Sequence, residues 1–360
     1  SSGCFLTSGY NSLAYYLVKA GYDVWLGNNR SGFKLQHESL PHLATNETFW
    51  DWDVRNLAYN DLPCIIDAVL GHKPDHQQLT LVGHSQGCSQ SFLLLRSPDL
   101  AEYHKKISSF VALAPAVFPG PLFHHRMFLK FMHALGPLVS KLFFGTLDFL
   151  PILTANRRLI GTTKLFGKLA YYIFKFLFGW NGSKWGNDHK VWHIHFIFNV
   201  SFVSAKLMNW WVSYWREEGF SNALQPKEAY KSGDNFAFTP VNSKDTTAQA
   251  EIEEKPKNVP EVDDSKSFFP YKEAWFGQSE QSTIVPMLLF LGDKDFLVDG
   301  KRLASHMRYY EKDYVESDNL KIVDLDDHSH MDVVWSEDVI PRIGYVIKEH
   351  LDKLGVQQSV

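Results

Sequence analysis

The sequence predicts an α/β fold, a mostly parallel sheet flanked by helices and interrupted by a large, mainly helical insertion. Three observations carry this reading. Short apolar runs bounded by turn residues alternate with stretches of helical period. The runs are dense in Val, Ile, Leu and Phe without strict alternation, as in strands covered on both faces. The alternation stops near Pro115 and resumes near Ile284, and the residues between differ in composition.

Taken in order, Asn11–Ala20 reads as a helix closed by Gly21, and Tyr22–Leu26 as a strand. Val54–Leu70 reads as a helix ending at Gly71, Leu79–Val82 as a strand, and Gln86–Arg96 as a helix stopped at Ser97-Pro98. Phe110–Leu113 is the next strand. The two core blocks, 1–117 and 284–360, enclose an insertion at 118–283. Residues 121–220 hold 23 Phe, Trp or Tyr, against 30 in the other 260, which marks an aromatic cap. Between 241 and 267 the composition turns to Lys, Glu, Asp, Thr and Pro, and a disordered, solvated linker is expected. Val285–Leu291 and Leu320–Leu325 read as strands, and Ser336–Leu354 as the closing helix before Gly355.

Composition excludes several classes. With 36 Lys and Arg against 40 Asp and Glu, the 360-residue chain carries −4 and has no electrostatic footprint for nucleic acid. Three cysteines, Cys4, Cys64 and Cys88, form no CxxC and are too few for a disulfide scaffold. No metal and no cofactor is expected. No stretch reaches about 18 uncharged apolar residues: Lys141 and Asp148 break Pro137–Ala155, and Lys168 and Lys175 break Leu165–Trp180.

The chemistry concentrates at Gly83-His84-Ser85-Gln86-Gly87, a G-x-S-x-G after a strand and before a helix. A serine on such a tight turn holds its Oγ clear of the backbone, and glycines two before and two after are expected to let the chains pass. The helix N-terminus puts backbone N–H groups beside a developing oxyanion, with Gln86 as the expected donor. Serine needs a base and the base an orienting acid, in the chain order Ser, acid, His. Asp293, Asp295 and Asp299 follow the strand after the insertion, and His328 and His330 follow the last strand. Order alone leaves these open. His84, beside the elbow, is expected to pack or hydrogen-bond rather than act as the base.

Several segments resemble the acid lipase family of α/β-hydrolases, which holds gastric and lysosomal lipases and membrane-bound steryl ester hydrolases of fungi. They are Asn11-Ser12-Leu13-Ala14, the run from Gly21 to Arg30, Phe49-Trp50-Asp51-Trp52, Asp61-Leu62-Pro63 and the Ser85 pentapeptide. Ala112-Leu113-Ala114-Pro115, Leu297-Val298-Asp299-Gly300 and His330-Met331-Asp332-Val333-Val334-Trp335 continue the likeness. The insertion and Gly300-Lys301-Arg302-Leu303 look most like the fungal branch. The resemblance implies Ser85 as nucleophile, Asp295, four before Asp299, as acid, and His330, opening H-x-D-x-x-W, as base. It also implies a strand ending in His-Gly-Leu just upstream of Ser1 that carries a second oxyanion donor. The chain is therefore expected to be part of a longer protein.

The function implied is ester hydrolysis by two acyl transfers on an apolar lipid. Steryl esters lead, with triacylglycerol as the alternative, and a catalytically silent lipid-surface-binding protein as a third reading. The expected partners are the lipid ester and a droplet or membrane surface. Few cysteines and no visible signal segment favour an intracellular droplet or endoplasmic-reticulum setting.

Overall fold

The computed structural model describes residues 2–355 except 31, 33, 121, 123–144, 150, 187–188, 213–268 and 317. The expected linker at 241–267 lies outside the described residues. Four strands, β1 (Leu79–His84), β2 (Ile107–Leu113), β3 (Met287–Gly292) and β4 (Leu320–Leu325), form one parallel sheet in that order.

The two faces of the sheet explain why the strands lack alternation. Phe110 and Ala112 of β2, with Met287, Leu289 and Leu291 of β3, enter one core. Their neighbours Val111, Leu113, Leu288 and Phe290 enter the other. A period of two puts successive side chains on opposite faces, and both faces here are apolar.

Helix α1 (Leu13–Lys19), opened by Ser12 accepting from the Tyr15 N–H, packs Leu13 and Leu17 into the second core. Helix α2 (Leu62–His72) and helix α3 (Gln86–Arg96) fill the first with Ile66, Phe92 and Leu94. The predicted helix Val54–Leu70 is not regular: Leu57–Asp61 is a π turn just before Pro63. Proline has no N–H to donate and its ring crowds the carbonyl four residues back, so the chain widens there. Ile340–Gly344 is also π, with Pro341 at its start where a missing N–H is tolerated, and regular helix begins only at Tyr345.

One expected strand is absent. Tyr22–Leu26 takes no regular secondary structure and pairs with no strand among the described residues, and Trp25 and Leu26 are exposed. Apolar density marks a segment that could join a sheet, whereas a ladder needs a partner within hydrogen-bonding reach.

The insertion supplies helices α4 (Pro151–Ile160), α5 (Lys164–Phe178), α6 (His189–Asn199) and α7 (Ala205–Val212). They dock on both cores: Phe166, Ala170, Trp185 and Phe196 join the second, Leu207 and Trp210 the first. A Cβ on Gly167 would lie 2.6 Å from the His193 Cα, so glycine is what lets α5 and α6 approach this closely. Helix α8 (Gly300–Tyr309) follows β3, and α9 (Tyr345–Lys353) closes the chain against the second core. No described helix is long and apolar enough to cross a membrane.

Candidate active site

Parallel strands point their C-terminal ends the same way, and α/β sheets hold their ligands there. Ser85 follows β1 directly, Asp295 lies on the turn after β3, and His330 lies on the turn after β4.

Ser85 takes φ 53° and ψ −118°, a region that costs a side-chain-bearing residue about 1–3 kcal/mol. Hydrogen bonds around the turn hold it there. Its N–H donates to Leu113 O at 3.0 Å, and its carbonyl accepts from Cys88 N at 2.9 Å and Ala116 N at 3.3 Å. A Cβ on Gly83 would meet the Cys88 nitrogen and the Gly87 carbonyl carbon at 3.1 Å each, so the expected steric reason for glycine holds at that position. It does not hold at Gly87, where an added Cβ meets nothing within 4 Å. The returning chain crosses beneath residue 83, while position 87 opens outward on the helix.

His330 Nε2 lies 2.7 Å from Ser85 Oγ, and His330 Nδ1 lies 2.8 Å from Asp295 Oδ2. The Asp295 carboxylate is buried, and its other oxygen, Oδ1, accepts from the N–H groups of Leu297 at 3.0 Å and Val298 at 3.1 Å. Both oxygens are thus committed and the carboxylate plane is fixed. An imidazole placed between a hydroxyl and an oriented carboxylate can take a proton at Nε2 while Nδ1 keeps its own.

The competing residues serve other ends. Asp293 turns outward, 3.8 Å from Lys294 Nζ. Asp299 caps α8 by accepting from Arg302 N at 2.9 Å. His328 is buried with Nδ1 donating to Asp326 O at 2.9 Å and Nε2 3.3 Å from Asp338. Of three aspartates and two histidines, the structure brings together Asp295 and His330.

Gln86 opens α3, and the first N–H of a helix has no intrahelical acceptor, which leaves it aimed beyond the helix end. Its side-chain Oε1 accepts from the Trp211 indole of α7 at 3.0 Å. That bond ties the cap to the elbow. A second tie joins the cap to the histidine turn: Trp185 Nε1 donates to Asp332 Oδ1 at 2.7 Å, and Asp332 Oδ2 accepts from Ser329 N at 2.7 Å. Burial raises the Asp332 carboxyl above its usual range, against these hydrogen bonds. Trp180 lies parallel to the His330 ring, centroids 6.5 Å apart and planes within 17°. Sequence reasoning assigned no role to Trp185, Trp211 or Asp332, and read Trp180 only as part of the apolar stretch Tyr171–Trp180 suited to line a tunnel or meet lipid. The one legible signal was Asp332's fixed place two residues after His330.

His84, expected to stay out of the relay, donates Nε2–H to the backbone carbonyl of His330 at 3.1 Å, with ring centroids 5.2 Å apart. Burial, with the His330 ring beside it, pushes its pKa down to about 3, so this donor stays neutral and in place at working pH. His84→Leu is expected to lower kcat on a soluble ester roughly tenfold at constant KM, the worth of one positioning hydrogen bond. His84→Gln, whose amide reaches the same point, is expected to recover most of that loss. An unchanged kcat in His84→Leu would remove His84 from the set that positions His330.

The Ser, acid, His order at the ends of β1, β3 and β4, with the nucleophile on a strand-to-helix elbow, is that of an α/β-hydrolase core. No family model matches the chain. It is similar to Sterol esterase 2 of Saccharomyces cerevisiae, 34% identical over 98% of this chain and 61% of that protein. Lysosomal acid lipase/cholesteryl ester hydrolase of Rattus norvegicus is 38% identical over 30% of this chain and 26% of its own length. Gastric triacylglycerol lipase of Homo sapiens is 42% identical over 29% of this chain and 25% of its own length. The chain thus spans about 61% of the length of that Saccharomyces protein. The resemblance read from the sequence is what these relatives bear out.

Proposed function

We propose, on the premise that this chain is a homologue of the acid lipases and their fungal sterol-esterase branch, that its protein is a serine carboxylic ester hydrolase. Its substrates are apolar lipid esters, steryl esters foremost, cleaved to sterol and fatty acid. The single observation that supports this reading best is the continuous Ser85–His330–Asp295 hydrogen-bonded chain beneath an aromatic cap.

In the first half-reaction His330 Nε2 accepts the Ser85 proton as Oγ attacks the acyl carbonyl. The carbonyl oxygen becomes an oxyanion that the Gln86 N–H stabilises, a contribution of about 10²–10³ in rate for one such donor. The imidazolium, held by Asp295, then protonates the departing alcohol oxygen, leaving an acyl group on Ser85. Water enters, gives its proton to His330, and the acid leaves as Ser85 is reprotonated. Trp180 over the imidazole keeps bulk water from the ring and offers the substrate an apolar wall.

A steryl ester is insoluble in water, so the enzyme meets it at a droplet or membrane surface. The substrate assignment is tested with cholesteryl oleate and triolein dispersed identically and assayed side by side. A higher kcat/KM on cholesteryl oleate is expected. A clear preference for triolein replaces the steryl ester reading with that of a triacylglycerol lipase, which the likeness to gastric lipase also supports.

A further inference from the structure

We infer that the outer face of α5 is a docking surface for an anionic phospholipid surface. The inference rests on the lipid-ester reading above and deepens it, naming the residues that would meet the surface and the charge the surface must carry.

Helix α5 has two apolar faces. Phe166 and Ala170 are buried against the second core, with Tyr171 and Phe174 packed beside them, and this inner face holds the cap together. The opposite face also carries Leu165, Leu169, Tyr172 and Phe176, spaced at i, i+4, i+7 and i+11. These are 62%, 41%, 57% and 66% exposed. Leu159, at the end of the preceding α4, is 78% exposed. A helix with two apolar faces is normally buried on both sides or set against lipid, and among the described residues none of its own chain buries this outer row.

Charge selects the occupant. Lys168 and Lys175 flank this row on one side and both are exposed, with Lys175 Nζ 5.6 Å from the centre of the Tyr171 ring. Across 149–212 the sequence has eight Lys or Arg and one acidic residue, Asp188, whereas the rest of the chain has 28 against 39. The stretch that carries α4 to α7 is therefore strongly basic, on a chain that is otherwise acidic. Lysines interleaved with leucines and aromatics on one face suit an interface. The stems lie along the apolar residues, the ammonium groups reach anionic headgroups, and the Leu and Phe side chains enter the acyl boundary. Tyr172 adds a ring with one apolar and one polar end at the same level. The position is apt, because the helix ends two residues before Trp180, which stacks on His330.

The test uses the purified chain with vesicles of phosphatidylcholine alone and of phosphatidylcholine with phosphatidylserine, binding being read by co-flotation. Binding to the phosphatidylserine vesicles is expected, weakening as salt screens the headgroups. Lys168→Gln with Lys175→Gln is expected to lower the apparent affinity roughly 25-fold. Leu169→Glu with Phe176→Glu is expected to abolish flotation. Both double variants should hydrolyse a water-soluble short-chain ester like the parent, since neither alters a residue at Ser85. Flotation of the variants equal to the parent's overturns the inference, as does equal binding to the two vesicle types. Loss of self-association in Leu169→Glu with flotation unchanged also overturns it, assigning the face to a second copy of the chain. Flotation as expected from a parent that cleaves no ester leaves the docking surface standing and brings down the hydrolase reading instead.

Discussion

Ser85→Ala is expected to lower kcat on any ester by about 10⁵–10⁶-fold, leaving only the contribution of oxyanion stabilisation and binding. The size of the loss follows from how much converges on one oxygen. Oγ is the atom that His330 Nε2 faces at 2.7 Å, and no other hydroxyl is within hydrogen-bonding reach of that nitrogen among the described residues. Alanine keeps the same Cβ at φ 53° and therefore the same strain, so the variant should fold with an unchanged Tm. Ser85→Gly, which tolerates that φ freely, should be equally inactive but more stable by about 1 kcal/mol. A phosphonate probe should label the peptide containing Ser85 in the parent and leave Ser85→Ala unlabelled. Full esterase activity in Ser85→Ala would end the acyl-enzyme mechanism outright.

Asp295→Asn carries the second large effect, about 10⁴-fold in kcat with KM little changed. The local geometry dictates it. Oδ1 accepts from the N–H groups of Leu297 and Val298, so an asparagine must keep its oxygen there or bury two unpaired donors. Its NH₂ group then occupies the Oδ2 position and points at His330 Nδ1, 2.8 Å away. That nitrogen has to become an acceptor, which moves the imidazole proton to Nε2, where it faces Ser85 Oγ and blocks proton transfer. The variant is isosteric and keeps its backbone hydrogen bonds, so circular dichroism and Tm should match the parent's. A loss below tenfold would show that Asp295 does not set the tautomer of His330.

Much of the site was legible before any coordinates because its central device is local. An elbow needs a strand, five residues with Gly83 at a crowded position, and a helix, and all of these lie within a short window of chain. Strands β2 and β3 were equally plain, since burial on both faces leaves an apolar run that no surface strand would carry. The failures share one cause. Tyr22–Leu26 has the composition of a strand but no partner, and the helix calculated from period alone at Val54–Leu70 is widened by Pro63. Gly87 fits the motif without the crowding that motivates glycine at Gly83.

The amino-acid order by itself determined the α/β class, the elbow at Ser85 and the candidates for acid and base. Spacing along the chain cannot separate Asp293 from Asp295, or His328 from His330, because residues two apart on a turn differ in direction rather than in position. The family resemblance pointed to Asp295 and His330, and tertiary structure shows why by fixing the turns after β3 and β4, so that Asp295 meets His330 and His330 meets Ser85 across 245 residues of sequence. It also decided that Trp211 and Trp185 reach from the cap to Gln86 and Asp332, and that Leu165, Leu169, Tyr172 and Phe176 of α5 stay exposed. Those outcomes depend on which surfaces meet when distant segments pack, and helical period records only that two faces of α5 are apolar.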